Sequence, residues 1–148
     1  MPETDLDLIG APLDFYGLNY YNPMRVAAPG NGSSSVDGVD VAVDGVEMPF
    51  SFVPFDGPEH EGLEHTDFGW PIIPGGLTGQ LQILRTRYGT GLPPVIITEN
   101  GASFTEPSGT FDDQRRIAYV DSHLAALRAA IADGADVRGY CHWSLMDN

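Results

Sequence analysis

The chain has 148 residues, enough for one domain with a sizeable core, and its hydrophobic (42%) and charged (19%) fractions are ordinary for a globular protein. All 7 basic residues are arginine and the formal net charge is -14, a balance that disfavours nucleic acid and anionic membranes as partners. No hydrophobic run is long enough for a membrane helix, and the acidic N-terminus does not resemble a signal peptide, so we expect a cytoplasmic protein.

The chain contains a single cysteine, Cys141, which excludes a disulfide within it. Its neighbours Tyr140, His142 and Trp143 are typical of a buried strand. We therefore expect Cys141 to be a core residue and not a nucleophile.

The first half of the chain combines one predicted strand with a long loop. Residues 14–21 (DFYGLNYY) are apolar and aromatic, as expected of a buried strand, and an Asn-Pro pair follows them. Residues 26–67 show no helical period and include much of the glycine and proline, which predicts a long loop. Alternating valines indicate a short hairpin inside this loop, at Val39, Val41 and Val43.

The second half alternates helices with strands. Apolar residues at spacings of three and four predict a helix over 77–88, with Thr78 as its cap and Gly89 as its terminator. The β-branched run at 95–98 predicts a fully buried parallel strand.

A second helix is predicted over 112–133, ended by Gly134, and a strand over 137–143. The predicted buried face of this helix consists of Ile117, Val120, Leu124, Leu127 and Ile131. Strands that alternate with such helices indicate a parallel sheet and an α/β fold. Three strands cannot close a barrel of eight, so we expect the chain to be a piece of a larger unit.

Chemistry-bearing side chains follow the predicted strands. Glu99 lies at the C-terminal end of a buried parallel strand, the position where α/β barrels place catalytic groups. The pattern by itself favours the alternative, a loop-edge residue that faces water, over a catalytic group. Asn19 and Tyr21 share one face at the end of the first strand, where they can orient a carboxylate and a sugar hydroxyl or pack into the core. Trp143 and Trp70 can stack on sugar rings or fill the core.

Three segments together resemble glycoside hydrolase family 1: Leu-Asn-Tyr-Tyr at 18–21, Ile-Thr-Glu-Asn-Gly at 97–101 and His-Trp-Ser-Leu-Met-Asp-Asn at 142–148. Their order and spacing resemble those of the family's last strands, and Thr-Glu-Asn-Gly resembles its nucleophile motif. Phe-Gly-Trp at 68–70 resembles the Gly-Trp segment before the penultimate helix. The resemblance implies the C-terminal part, about the last three strands, of a (β/α)8 TIM barrel, with residues 1–148 belonging to one partial catalytic domain.

The resemblance also implies an activity and residue roles. The parent protein would be a retaining β-glycosidase, with β-glucosidase as the expected activity, acting on small β-glycosides or oligosaccharides without a metal or cofactor. Glu99 would be the nucleophile and Tyr21 would orient it. Asn19 would contact the site near the nucleophile, Trp143 would lie beneath the sugar, and Trp70 would line the aglycone side.

The sequence departs from the family pattern in two places. Retaining hydrolysis needs a second carboxyl group about 5–5.5 Å from the nucleophile, and the family's Asn-Glu-Pro motif for it is absent. The only Glu-Pro, at 106–107, lies in the loop after the nucleophile strand, which is the wrong place for the acid/base. The chain also ends at Asn148, where the family continues with Phe-Glu-Trp. We therefore expect a fragment with little or no turnover, whose partner is the missing N-terminal part of the barrel.

Two other hypotheses remain open at this point. The chain could be a non-catalytic sugar-binding or assembly half of a split barrel, which a separate upstream gene for the other strands would favour. It could also be an unrelated β/α module. A Glu99 buried in an apolar core, away from Tyr21 and Trp143, would favour that third hypothesis.

Overall fold

The computed structural model describes residues 3–27, 42–43, 46–47, 51–53, 61–105 and 112–144. The helices are α1 (Glu3–Ile9), α2 (Pro74–Tyr88) and α3 (Gln114–Ala132), with a 3-10 turn at Gly89–Gly91. The strands are β1 (Tyr16–Asn19), β2 (Arg25–Ala27), β3 (Ala42–Val43), β4 (Val46–Glu47), β5 (Ser51–Val53), β6 (Val95–Asn100) and β7 (Val137–His142).

A parallel sheet with the strand order β1-β6-β7 forms the centre of the described structure. The helices α2 and α3 pack against each other, and together with the sheet they bury one apolar core. Strands β1 and β6, helices α2 and α3 and the segments next to the strands supply its members, and Val137 and Tyr140 of β7 pack against it. The core residues are Leu18, Tyr20, Leu77, Leu81, Leu84, Val95, Ile97, Leu127, Ala130 and Ala135. The predicted α/β class and parallel sheet are therefore confirmed.

Helix α2 starts earlier than predicted. Pro74 occupies its first turn, where the fixed φ of proline favours a helix start and the missing N–H costs nothing. Thr78 is not the cap, because it lies one turn inside the helix and its hydroxyl donates to the Ala126 carbonyl of α3 at 3.2 Å. Gly89 terminates α2 as predicted, with a φ of 52°.

Helix α3 buries a different face from the one predicted. Tyr119, His123, Leu127 and Ala130 are buried, and of the predicted face only Leu127 is among them. Three predicted core residues are largely exposed: Ile117 (55%), Leu124 (41%) and Ile131 (45%). The prediction weighted aliphatic residues and ignored Tyr119 and His123. The Tyr119 hydroxyl finds hydrogen bonds with Asn100 and the Tyr21 carbonyl, and the His123 ring stacks on Tyr119 and bonds the Tyr119 carbonyl through Nδ1.

The strand bounds differ from the predictions at their ends. Strand β1 is shorter than the predicted 14–21 segment, whereas β6 extends two residues beyond the predicted 95–98 run. Cys141 is exposed, so the expected core position was wrong. β7 is an edge strand of the described sheet, and Cys141 is not among its residues that pack against the core.

In the sequence between β1 and α2, the described residues form two pairs of short antiparallel strands. Strands β3 and β4 form a hairpin at the place where one was predicted, although Val39 and Val41 fall outside the described residues. Strand β2 pairs with β5.

Helix α1 was not predicted. In the described ranges, no helix combines the length and the apolar character that crossing a membrane requires.

Candidate active site

The carboxyl end of β6 changes register against both of its neighbours. Val95 and Ile97 point into the core, so strict alternation would bury Glu99 as well. The pairing with β1 shifts between Leu18 and Asn19, and the pairing with β7 shifts between Ile97 and Asn100. As a result, Asn100 is fully buried and Glu99 is only partly buried, where its carboxylate is accessible to a ligand.

The phenol of Tyr21 lies directly against Glu99. Its hydroxyl donates to Glu99 Oε2 at 2.7 Å, across 78 residues of sequence. Desolvation, followed by this hydrogen bond and the negative charge of Glu99, raises the pKa of Tyr21 well above its usual 10. The other carboxylate oxygen, Oε1, accepts no hydrogen bond from any residue that the structure describes. One oxygen is thus fixed and the other is free to react.

Asn19 is adjacent to Glu99 across the strands but does not contact its carboxylate by a hydrogen bond. The two residues are register partners between β1 and β6. The Thr98 hydroxyl donates to Asn19 Oδ1 at 2.6 Å, so the amide is held on the neighbouring residue of β6. Asn19 itself is exposed at the same end of the sheet, beside the carboxylate.

Trp70 extends the aromatic surface that begins at Tyr21. Its ring meets the Tyr21 ring edge-on, with centroids 5.6 Å apart, and it also contacts Phe68 at 5.5 Å. The indole is 39% exposed. The structure therefore brings Trp70, Tyr21 and Glu99 together in one row at the carboxyl end of the sheet.

Trp143 directly follows β7 at that same end. Its main-chain N–H donates to the Asn100 carbonyl at 3.0 Å, and its side chain is 46% exposed. The Trp143–Ser144 peptide bond is cis. Since the indole is not used in the core, its face is available to an apolar ligand surface.

A salt bridge fixes the loop that carries Trp70. Arg115 of α3 donates to Asp67 Oδ1 at 3.1 Å and to the His65 carbonyl at 3.2 Å, and its guanidinium lies 4.3 Å from the Phe104 ring centroid. The Thr105 N–H also donates to Asp67. This hydrogen bond is the main cause that lowers the pKa of Asp67, and Arg115 adds to it.

The described site therefore consists of a carboxyl group at the end of a parallel strand, a phenol that is hydrogen-bonded to one of its oxygens, and two half-exposed indoles. The sequence profile of Glycosyl hydrolase family 1 matches residues 1–148. This chain belongs to glycosyl hydrolase family 1. Its three parallel strands are a segment of the family's (β/α)8 barrel.

Several family 1 members are similar over nearly the whole chain. The β-glucosidase of an Agrobacterium species is 39% identical over 146 residues, and the β-glucosidase A of Acetivibrio thermocellus is 33% identical over 150 residues. The crystal structure of a psychrophilic β-glucosidase from Micrococcus antarcticus matches with a TM-score of 0.78 at 37% identity and covers 100% of this chain. The chain spans only 28%, 29% and 32% of the lengths of these three family 1 proteins.

Sequence reasoning missed the polar residues behind the site. Asn100, Tyr119, Tyr140 and Arg115 form hydrogen bonds that support Tyr21 and Trp70. One signal was available, because a tyrosine and a histidine four residues apart on α3 share a face, and both carry polar atoms that need partners when buried. Neither the bulge in β6 nor the Asp67–Arg115 pair has a comparable signal in the sequence.

Proposed function

We propose that this chain carries the nucleophile side of a retaining β-glycosidase site, with Glu99 as the nucleophile and a terminal β-linked glucose as the substrate. The contact that carries the proposal is the 2.7 Å hydrogen bond from the Tyr21 phenol to Glu99 Oε2. It holds the carboxylate in one orientation and leaves Oε1 for attack. The family membership and the β-glucosidase relatives support the same chemistry.

In the first step, Glu99 Oε1 forms a bond to the anomeric carbon while the glycosidic carbon–oxygen bond breaks. The departing oxygen takes a proton from a second carboxyl group. In the second step, water loses a proton to that group, attacks the anomeric carbon and releases Glu99. A sugar on this site would have Trp143 beneath its apolar face, Asn19 beside the nucleophile and the aglycone against Trp70.

The second carboxyl group is proposed to come from barrel strands outside this chain. The Asn-Glu-Pro motif is absent from the sequence, and Glu106-Pro107 lies outside the described residues. The substrate is proposed to be a neutral sugar, because the chain contains no lysine and carries a formal net charge of -14, which does not favour a phosphorylated sugar.

A 2-fluoro-β-glucoside with a dinitrophenolate leaving group tests the nucleophile without needing the proton donor. The purified chain is incubated with this reagent, and a mass adduct is sought and located by peptide mapping. The expected adduct is on Glu99, and the Glu99→Gln variant is the matched control. An adduct on another residue would exclude Glu99 as the nucleophile.

A graft tests the function of the whole site. The corresponding C-terminal part of the Agrobacterium β-glucosidase is replaced by residues 1–148, extended by the relative's own residues beyond Asn148. The graft is expected to hydrolyse aryl β-glucosides and to lose this activity on Glu99→Gln. A folded graft that binds glucosides without hydrolysing them, and that the 2-fluoro reagent does not label, would favour a sugar-binding half instead.

A further inference from the structure

A fully buried amide lies one residue beyond the proposed nucleophile. Asn100 has no exposed surface, and its side chain makes three hydrogen bonds. Its Nδ2 donates to the Tyr20 carbonyl at 2.7 Å and to the Tyr119 hydroxyl at 3.1 Å. Its Oδ1 accepts from the Tyr140 hydroxyl at 2.8 Å. The amide therefore links β6 to the chain after β1, to α3 and to β7.

Tyr119 continues this connection to the next residue of the site. Its hydroxyl accepts from Asn100 and donates to the Tyr21 carbonyl at 3.3 Å. The Tyr119 side chain is 2% exposed and stacks on His123 with ring centroids 4.0 Å apart. Because packing fixes the ring, the position of its hydroxyl is fixed as well.

The carbonyls of Tyr20 and Tyr21 are thus both held by buried side chains. These two residues follow β1 and lie beyond the last register pair of β1 with β6. Among the described main-chain hydrogen bonds of this segment, the Tyr20 N–H donates to the Glu99 carbonyl at 2.9 Å, and the two carbonyls accept from Asn100 and Tyr119. A phenol oxygen stands far from its Cα, so a small tilt of the main chain at Tyr21 moves its hydroxyl away from Glu99.

We propose that Tyr119, supported by Asn100, is a positioning residue. It holds the Tyr21 main chain so that the Tyr21 phenol keeps its hydrogen bond to Glu99. The proposal rests on the function proposed above for Glu99. Tyr119 does not touch the substrate. Its effect passes through the Tyr21 carbonyl, and the loss of its hydroxyl leaves that carbonyl and one Asn100 N–H without their partner.

The test compares two buried tyrosine hydroxyls in the full chain. Tyr119→Phe removes the hydroxyl that reaches Tyr21. Tyr20→Phe is the matched control, because its hydroxyl is also buried and donates to a main-chain carbonyl, that of Ile73, at 2.6 Å. Tyr119→Phe loses two hydrogen bonds and Tyr20→Phe loses one, so a larger loss of thermal stability is expected from Tyr119→Phe.

Two measurements separate positioning from general destabilisation. The first is the rate constant of labelling by the 2-fluoro-glucoside at saturating reagent, in the chain and in the graft. Tyr119→Phe is expected to lower it about five- to tenfold, and Tyr20→Phe to leave it unchanged. The second is the titration of the Tyr21 phenol, followed by nuclear magnetic resonance of chain labelled at tyrosine Cζ and assigned with Tyr21→Phe. Tyr119→Phe is expected to lower the pKa of the Tyr21 phenol toward 10, whereas Tyr20→Phe is expected to leave that pKa unchanged.

The outcomes are distinct. Unchanged labelling and an unchanged Tyr21 titration in Tyr119→Phe would overturn the positioning role, as would equal losses in both variants. If neither wild-type chain nor wild-type graft is labelled on Glu99, the proposed function fails, and the Tyr21 titration alone decides whether Tyr119 holds Tyr21 in place.

If Tyr119→Phe does not fold, Tyr140→Phe takes its place, since it removes the hydrogen bond to Asn100 Oδ1. A labelling rate that is unaffected by Tyr140→Phe would then count against the proposal.

Discussion

The Cα of Gly101 lies directly against the main-chain carbonyl of Trp143. A Cβ at residue 101 would overlap with that oxygen, and the obstacle is backbone that cannot rotate away. Residue 101, which follows the Glu99-Asn100 pair, is therefore a glycine because there is no space for a side chain beside the Trp143 carbonyl. The close contact also fixes the distance between the main chain at Trp143 and the strand that carries Glu99.

Gly101→Ala is expected to lower the free energy of unfolding by about 1–3 kcal/mol, because the main chain must separate to admit one methyl group. Gly79→Ala is the control, since a Cβ there meets nothing within 4 Å and the residue lies inside α2. The control is expected to stabilise the chain by about 0.4–1 kcal/mol. Urea denaturation measures both changes, and equal effects would show that the Trp143 contact is not tight.

Tyr21→Phe removes the hydrogen bond to Glu99 Oε2 while keeping the aromatic ring beside Trp70. Hydrogen bonds to charged groups are worth more than neutral ones, so we expect labelling by the 2-fluoro-glucoside to slow about ten- to a hundredfold. Tyr16→Phe, at the start of β1, serves as the control and should label at the wild-type rate. Unaltered labelling of Tyr21→Phe would show that the phenol does not assist Glu99.

Arg115→Lys tests whether the salt bridge to Asp67 positions Trp70. A lysine cannot bond Asp67 and the His65 carbonyl together while it lies flat on the Phe104 ring. In the graft, we expect KM for glucosides with a bulky aglycone to rise about three- to tenfold, with kcat for a dinitrophenyl glucoside unchanged, since an exposed ion pair contributes on the order of 1 kcal/mol.

Arg87→Lys is the control for that substitution, because Arg87 lies on α2 near Tyr88, at the far end of the helix from the Trp70 loop. It should leave both kinetic constants at their wild-type values. Equal KM values for Arg115→Lys and Arg87→Lys would mean that Trp70 keeps its place without the salt bridge.

Alkaline pH should destabilise the fold through its buried phenols. Burial raises the pKa of Tyr20 from 10.0 to about 12, and the pKa of Tyr119 and Tyr140 is raised by the same cause. A group whose pKa is higher in the folded state contributes fully below pH 10, and its contribution is lost as the pH rises toward 12. For Tyr20 alone, the loss at pH 11 is about 1.4 kcal/mol.

The measurement is the free energy of unfolding in urea at pH 9 and at pH 11. Wild-type chain should lose stability across this interval, and Tyr20→Phe should lose about 1.4 kcal/mol less. Tyr20→Phe starts from a lower value at pH 9, because it lacks the hydrogen bond to Ile73, so the difference between the two pH values is the quantity to compare. Parallel pH dependences would place Tyr20 in contact with water.

The sequence predicted the elements that carry regular periodicity and failed where side-chain chemistry decided the outcome. The run at 95–98 and the leucine spacing of α2 correctly identified a buried strand and a helix, because burial there is simply apolar. The α3 face was predicted wrongly because the Tyr119 hydroxyl has hydrogen-bond partners in the interior and the His123 ring stacks on the Tyr119 ring. For the site, the Tyr21–Glu99 proximity was expected from the family resemblance. The supporting hydrogen bonds of Asn100 and Arg115 join residues 19 to 80 positions apart, and periodicity does not encode such contacts.

Two adjacent residues of β6 lie in opposite environments. The carboxyl group of Glu99 is partly exposed at the site, and the amide of Asn100 is buried in the interior. Their assignment depends on the shift in pairing that both neighbouring strands make between residues 97 and 100. Loss or gain of one residue within the strand before Glu99 would exchange the two environments, leaving a carboxylate to be desolvated and an amide facing the ligand. The number of residues in this strand therefore decides which of the two side chains reaches the ligand.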